Sequence, residues 1–344
     1  MTKSELYYFA SKCLIIHEHP EFVSDIIDAF KNDLIDWVQF ITICSDNLIL
    51  PTIYLRFRSH GLLEYLPKEV AEHLKEIYDL NFQRNNEILR QIKSINETLK
   101  TRDVIPLYLK GAGNLIDNIY SDIGERLMGD IDFLVQEEDF FPSISLMLDA
   151  GYLNYMNSTY INIRETQHYP RIYNTDFAAD VEIHRIPNEY DCGNWFNNKV
   201  IYDERKTLNI QSKCYVESDK HKILHNFIHS QLDNEGFLFG NIRLRDIYDI
   251  FLISKRYSLN EILLSAKFQR KATAYFAFAK NAFDLDNNFF KKKNFSYKIL
   301  KIRQHLNLNY KLFYKVNKGL ILSYIYFRDK KGYYGKLIHL FSSK

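Results

Sequence analysis

Apolar residues change their spacing along this chain. Over roughly the first hundred residues they recur at helical intervals. After Pro67, Val70, Leu74 and Ile77 are followed by Ile88, Ile92, Ile95 and Leu99, at the three- and four-residue steps of one helix face. Asn81 and Arg84 interrupt the stripe midway, and Pro51 and the Leu66–Pro67 step mark joints. The run is too short and interrupted for a coiled coil, so this face is expected to pack on the rest of the protein. From residue 101 the pattern turns strand-like. Val104 to Leu109 reads as a strand with Pro106 near its beginning or at an edge. Asn114 to Tyr120 reads as a short helix. Asp130 to Val135 alternates as a strand. Glu138 to Ala150 has helical spacing, with Gly151 as its C-terminal cap. Short strands are expected at Tyr160 to Ile163, Tyr169 to Tyr173 and Ala179 to His184. From Glu217 helices return, at His221 to Leu232, Ile242 to Ile253, Leu259 to Lys267 and Thr273 to Phe283.

This succession predicts an α+β protein. A small mixed-sheet core at 101–215 is flanked by an N-terminal helical region, 1–100, and a C-terminal helical region with a basic tail, 216–344. No repeat or low-complexity linker separates the parts, so they are expected to pack together.

The candidate chemistry sits at Gly129-Asp130-Ile131-Asp132-Phe133-Leu134-Val135. On a strand, Asp130 and Asp132 point to one face while Ile131 and Phe133 point to the other. Two adjacent carboxylates repel and raise each other's pKa; a divalent cation with oxygen ligands relieves that. Upstream, Lys110-Gly111-Ala112-Gly113-Asn114 follows a strand, and is expected to form a glycine turn opening a helix, where backbone N–H groups hold phosphate. Lys110 either reaches a phosphate or is simply solvated. Ile116 stands where a dinucleotide fingerprint needs its third glycine. Arg126 either binds phosphate or braces the two acids. A second acidic strand, Asp180-Val181-Glu182-Ile183-His184, supplies a third acid from Asp180 or Glu182, and His184 and the remaining acid would support the ligands from behind. His221, His225 and His229 share a helix face, but no Glu follows the first His of either pair as zinc-binding His-Glu-x-x-His requires, so packing histidines are expected.

Charge sharpens the picture at the C-terminus. From Lys291 to Lys344 fourteen Lys/Arg face one acid, Asp329, against 31 basic and 42 acidic residues before it. With tyrosines and phenylalanines interleaved, this tail is a candidate for nucleic acid or an anionic membrane surface, or for helical core. The scattered cysteines, Cys13, Cys44, Cys192 and Cys214, argue against a disulfide framework. No run approaches the ~18 apolar residues of a membrane span. The expected compartment is the cytoplasm.

Leu109-Lys110-Gly111-Ala112, the segment Arg126 to Val135, Gly151-Tyr152 after a helix, and Val181-Glu182-Ile183-His184 together resemble the bacterial uncharacterised nucleotidyltransferase family of the DNA polymerase β-like superfamily. The run Arg243 to Asp249 is similar to that family's helical C-terminal part, and the likeness covers roughly residues 35 to 255. The superfamily's glycine motif usually ends in Gly-Ser or Gly-Gly; here it is Gly111-Ala112-Gly113. The resemblance implies transfer of a nucleoside monophosphate from an NTP, such as ATP, to an acceptor hydroxyl with two Mg²⁺ or Mn²⁺ ions. It implies metal-binding and catalytic roles for Asp130, Asp132 and Glu182, with Glu182 preferred to Asp180 and helping to deprotonate the acceptor. Lys110, Gly111, Ala112, Gly113 and Arg126 would hold the nucleotide. The acceptor would be a small molecule, a sugar, a tRNA or a protein. A non-catalytic nucleotide-binding or scaffold protein that kept the fold is the alternative, and the presence of all three acids argues against it.

Overall fold

The computed structural model describes residues 1–155, 166–190, 192–258, 266–283 and 295–328. It is an α+β fold in which a seven-stranded mixed sheet lies between helical regions. Helices α1–α4 (Lys3–Leu14, Phe22–Lys31, Trp37–Asp46, Leu50–Ser59) precede the long α5 (Lys68–Lys100). The strands are β1 (Leu107–Tyr108), β2 (Asp130–Leu134), β3 (Leu153–Asn154), β4 (Ile172–Tyr173), β5 (Asp180–His184), β6 (Lys206–Ile210) and β7 (Ser212–Val216), in the order β3-β4-β5-β2-β1-β7-β6. β2 runs parallel to β5 and antiparallel to β1, which runs parallel to β7. Between strands lie α6 (Lys110–Ile116), α7 (Phe140–Asp149) and α8 (Asn198–Asp203). The chain continues through α9 (Asp219–Phe227), a π-helical segment (Ile228–Asp233), α10 (Gly236–Phe239), α11 (Leu244–Ser254), α12 (Ala266–Phe283), α13 (Phe295–Asn309) and α14 (Lys311–Arg328).

Alternation along β2 and β5 sets the two faces of the sheet. Ile131, Phe133, Val181 and Ile183 are fully buried, on the side where α5 and α7 pack. Tyr108 joins them: its ring meets Phe133, and its hydroxyl donates to the Ile92 carbonyl and Asn96 of α5. Withdrawing each such aliphatic or aromatic side chain from water contributes about 1.5–3 kcal/mol, so this layer holds the register of the acidic strands.

The residues that interrupt the stripe of α5 have a task. Asn81 donates to the carbonyls of Gly124 and Arg126, and Asn85 to those of Ile123 and Arg126. Arg84 donates to the carbonyls of Gly129 and Ala178. Gln91 both donates to the Ala179 carbonyl and accepts from its N–H. The polar face of α5 therefore clamps the segments that lead into β2 and β5. Buried backbone groups outside a sheet need such partners.

Several local expectations change. The strand expected over Val104 to Leu109 is β1, Leu107–Tyr108 alone. The predicted Asn114–Tyr120 helix is α6, which begins at Lys110 and ends at Ile116. No glycine turn precedes it, because Gly111 and Gly113 lie inside it. They are small for packing: a Cβ on Gly113 would stand 2.6 Å from the Tyr108 carbonyl oxygen, and one on Gly111 2.6 Å from the Arg126 guanidinium. Of Tyr169 to Tyr173 only Ile172–Tyr173 is a strand. The basic tail contributes helix: α13 packs on α12 and α1, burying Tyr297 and Leu300. The expected strand at 160–163, residues 259–265 of an expected helix, and residues 329–344 lie outside the described residues. All four cysteines are buried free thiols. No helix of the described residues is long and apolar enough to cross a membrane.

Candidate active site

β2 and β5 pair in parallel with Asp130 beside Asp180, Asp132 beside Glu182 and Leu134 beside His184. Side chains two apart share a face, so Asp130, Asp132, Glu182 and His184 all turn away from α5 and α7. Asp132, Glu182 and His184 are buried, and each offers a ligand atom within 4.8 Å of the others. Among the described residues they are the one such group. The sequence reading chose Asp130 as a ligand and His184 as a support; the compact group holds His184 instead. Asp130 sits at the rim, its side chain 28 % exposed.

Cationic and polar groups already neutralise these acids. Lys110 donates to Asp132 Oδ1 at 2.7 Å. His184 Nε2 lies 2.9 Å from the same oxygen and 3.5 Å from Glu182 Oε2. His184 Nδ1 faces the Gln167 amide nitrogen at 3.4 Å. A neutral imidazole accepting from Gln167 there would donate from Nε2 to Asp132. Arg171 bridges Asp130 at 2.8 Å and Glu182 at 2.7 Å. Asp180 accepts from the Tyr155 hydroxyl at 2.8 Å and stands 3.9 Å from Arg171.

Electrostatics separates the carboxylates. Burial, then repulsion from Asp132 and Glu182, pushes Asp130 up to about 6. Burial would raise Asp132 as well, but Lys110 and His184 outweigh it and hold its carboxyl well below the usual carboxylate range. Glu182, also opposed by burial, is brought down to about 2 chiefly by its hydrogen bond with His184. Burial tends to lower Lys110, yet Asp132, Glu182 and Asp130 together raise it. Two carboxylates and an imidazole in this arrangement fit a divalent cation, which would take over the neutralisation that Lys110 and Arg171 now supply.

Lys110 has a backbone φ of +47°, a left-handed conformation uncommon for a side chain with a Cβ and worth on the order of 1–2 kcal/mol of strain. The turn from β1 into α6 imposes it, and the lysine's ammonium meets Asp132. Ala112 and Gly113 follow within α6, buried with it.

Arg126 has a partner that spacing did not suggest. It donates to Asp249 of α11 through Nε at 3.0 Å and a terminal nitrogen at 2.9 Å, and Tyr120 donates to the same carboxylate. Its bracing is therefore between the segment before β2 and α11, rather than on Asp130 or Asp132. Next to it, Glu125 accepts from Arg56 at 2.5 Å and Tyr248 at 2.7 Å.

The acidic face opens on a cavity of about 630 Å³. Its sheet wall carries Lys110, Asp130, Asp132 and Glu182; its opposite wall comes from α9, the π-helical segment and α11. Of the three spaced histidines His225 and His229 line it, and among the described residues none belongs to a metal group. His225 lies 2.9 Å from Glu217, His221 contacts Ser218, and His229 contacts Asn234. Sequence reasoning missed Arg171, His168 and Asp249, all of which line the cavity. Arg171 had a weak signal, a cation on a short strand-like run; Asp249 ended the Arg243 to Asp249 run of the family resemblance without a role of its own; His168 had no signal.

Residues 33–280 match the family described as uncharacterised nucleotidyltransferase. The chain belongs to that family. The match spans both acidic strands, the cavity and most of the helical wall, and it is consistent with the DNA polymerase β-like superfamily. No curated protein and no solved structure matches the chain. This nucleotidyltransferase thus carries a candidate metal-binding triad of Asp132, Glu182 and His184 on its sheet.

Proposed function

We propose that the protein transfers a nucleoside monophosphate from an NTP to an acceptor hydroxyl in the cavity over β2 and β5. The observation that carries this reading is the convergence of Asp132, Glu182 and His184, with Asp130 on the same face, in a member of a nucleotidyltransferase family. In the reaction an acceptor oxygen bonds to the α-phosphorus, the bond from that phosphorus to the β-phosphate oxygen breaks, and pyrophosphate leaves. Mg²⁺ or Mn²⁺ ions held by Asp130, Asp132 and Glu182, with His184 as a further donor, would lower the acceptor's pKa and offset the leaving group's charge.

The chain's own groups do the rest. Lys110, at the start of α6, is placed to leave Asp132 and meet a phosphate oxygen, with Gly111 beside it on the cavity wall. Arg171 is placed to exchange its two carboxylates for the triphosphate. Arg126 serves the nucleotide by holding α11 against the segment before β2. Glu182, buried beside Asp132, would help to take the hydroxyl proton. Asp180 supports Arg171 from the next register position.

Pyrophosphate release from each NTP, with Mg²⁺ or Mn²⁺ and pools of small-molecule, sugar, tRNA and protein acceptors, tests the reading. Cation-dependent release that disappears in Asp132→Asn is expected. Nucleotide binding without release on any pool would leave a nucleotide-binding scaffold instead.

A further inference from the structure

Helix α14 turns an apolar stripe to solvent. Leu312, Val316, Leu320 and Phe327 are 75 %, 54 %, 68 % and 81 % exposed. At 100° per residue these four fall within one narrow sector. Ile321 and Ile325, on a different side of the helix, are buried, and α14 rests there on α10 and α13. Among the described residues, nothing covers the outward stripe. Lys311 and Lys315 border it, and α14 contains no acidic residue. Nor does α13, which adds Lys298, Lys301 and Arg303. Exposed apolar residues scattered singly need no account, but four on one face of one helix, interrupted only by Ser323, do.

We propose that α14 docks in the plane of an anionic lipid surface. A helix with an apolar face and basic flanks lies in the headgroup region, its apolar side chains at the acyl boundary and its lysines on anionic headgroups. Lipid supplies both halves of the complement together. A second copy of the chain would bring two acid-free basic faces into contact, where like charges repel. Nucleic acid would satisfy the lysines and could stack on Phe327, Tyr314 or Tyr324, but it has no use for the aliphatic surface of Leu312, Val316 and Leu320, which make up most of the stripe. The helix lies on the surface, since none of the described helices can span a bilayer.

Flotation of the full-length protein with phosphatidylcholine vesicles, with and without phosphatidylglycerol, tests the proposal. Wild type is expected to float with the anionic vesicles and to weaken as salt rises. Leu320→Ser combined with Phe327→Ser should lower the partition by at least about tenfold, as expected for withdrawing two apolar side chains. Both positions face outward, so far-UV circular dichroism and thermal melting should be unchanged. Lys311→Gln with Lys315→Gln should weaken binding to anionic vesicles while keeping the apolar stripe. Wild type that stays unbound on anionic vesicles would overturn the proposal. So would flotation that the serine variant retains, a dimer in solution that this variant dissociates, or retention on single-stranded RNA with no lipid binding.

Discussion

Asp132 and Glu182 stand side by side across a parallel strand pair, and the same imidazole, His184, reaches both. A third carboxylate, Asp130, lies one step nearer solvent and is tied to Glu182 through Arg171. The three acids therefore differ in their partners, and replacing each should have a different consequence.

Asp132→Asn is expected to reduce nucleotidyl transfer by at least about 100-fold, more than loss of an outer partner to a metal ligand. It also takes the closest carboxylate from half-buried Lys110 and should destabilise the metal-free fold in urea denaturation. Asp130→Asn should lose turnover too, yet leave the metal-free fold as stable or more stable, because the carboxylate it removes is repelled by Asp132 and Glu182. Equal stability losses in the two variants would contradict this division.

The pH dependence of the metal-free protein should carry both signs. Asp130 binds its proton more tightly folded than unfolded. Its contribution is therefore complete in acid and is lost as pH rises from about 4 through about 6. Glu182, depressed to about 2, contributes stability above about pH 4 that disappears as pH falls towards 2. Denaturation midpoints of wild type and Asp130→Asn, compared between about pH 4 and pH 7, should converge at the acid end and separate in the variant's favour at the neutral end.

Divalent cation should raise the melting temperature. Mn²⁺ at 100 times its dissociation constant would add about 2.7 kcal/mol, and Glu182→Gln should abolish most of the shift. Arg171→Ala removes the guanidinium that a cation must displace, so it should bind Mn²⁺ more tightly without nucleotide while raising the KM for NTP. A thermal-shift titration set beside steady-state kinetics reads both effects.

Arg126→Ala leaves Asp249 buried without its guanidinium and should cost about 3–5 kcal/mol. The double replacement Arg126→Met with Asp249→Leu should recover much of that. If Arg126 acted only on the nucleotide, stability would be unchanged and KM alone would rise.

Alternation along the chain was enough to place Asp130 and Asp132 on one face, Ile131 and Phe133 on the other, and to bury Val181 and Ile183, because those directions depend on a two-residue period. The helical stripe from Leu74 to Leu99 was likewise legible, and Lys110, Gly111 and the two acidic strands marked the family. Why Asn81 and Arg84 break that stripe was not legible, since their partners are backbone carbonyls some forty residues further on. The family resemblance preferred Glu182 to Asp180, but that Glu182 faces Asp132 while Asp180 faces Asp130 was visible only in the tertiary structure. Pairing between distant segments has no local trace. Arg171 reaches the acids through the antiparallel β4–β5 pair, and Arg126 finds Asp249 across 123 residues. Local periods fix the face a side chain takes; only the packed chain decides which charge it meets there.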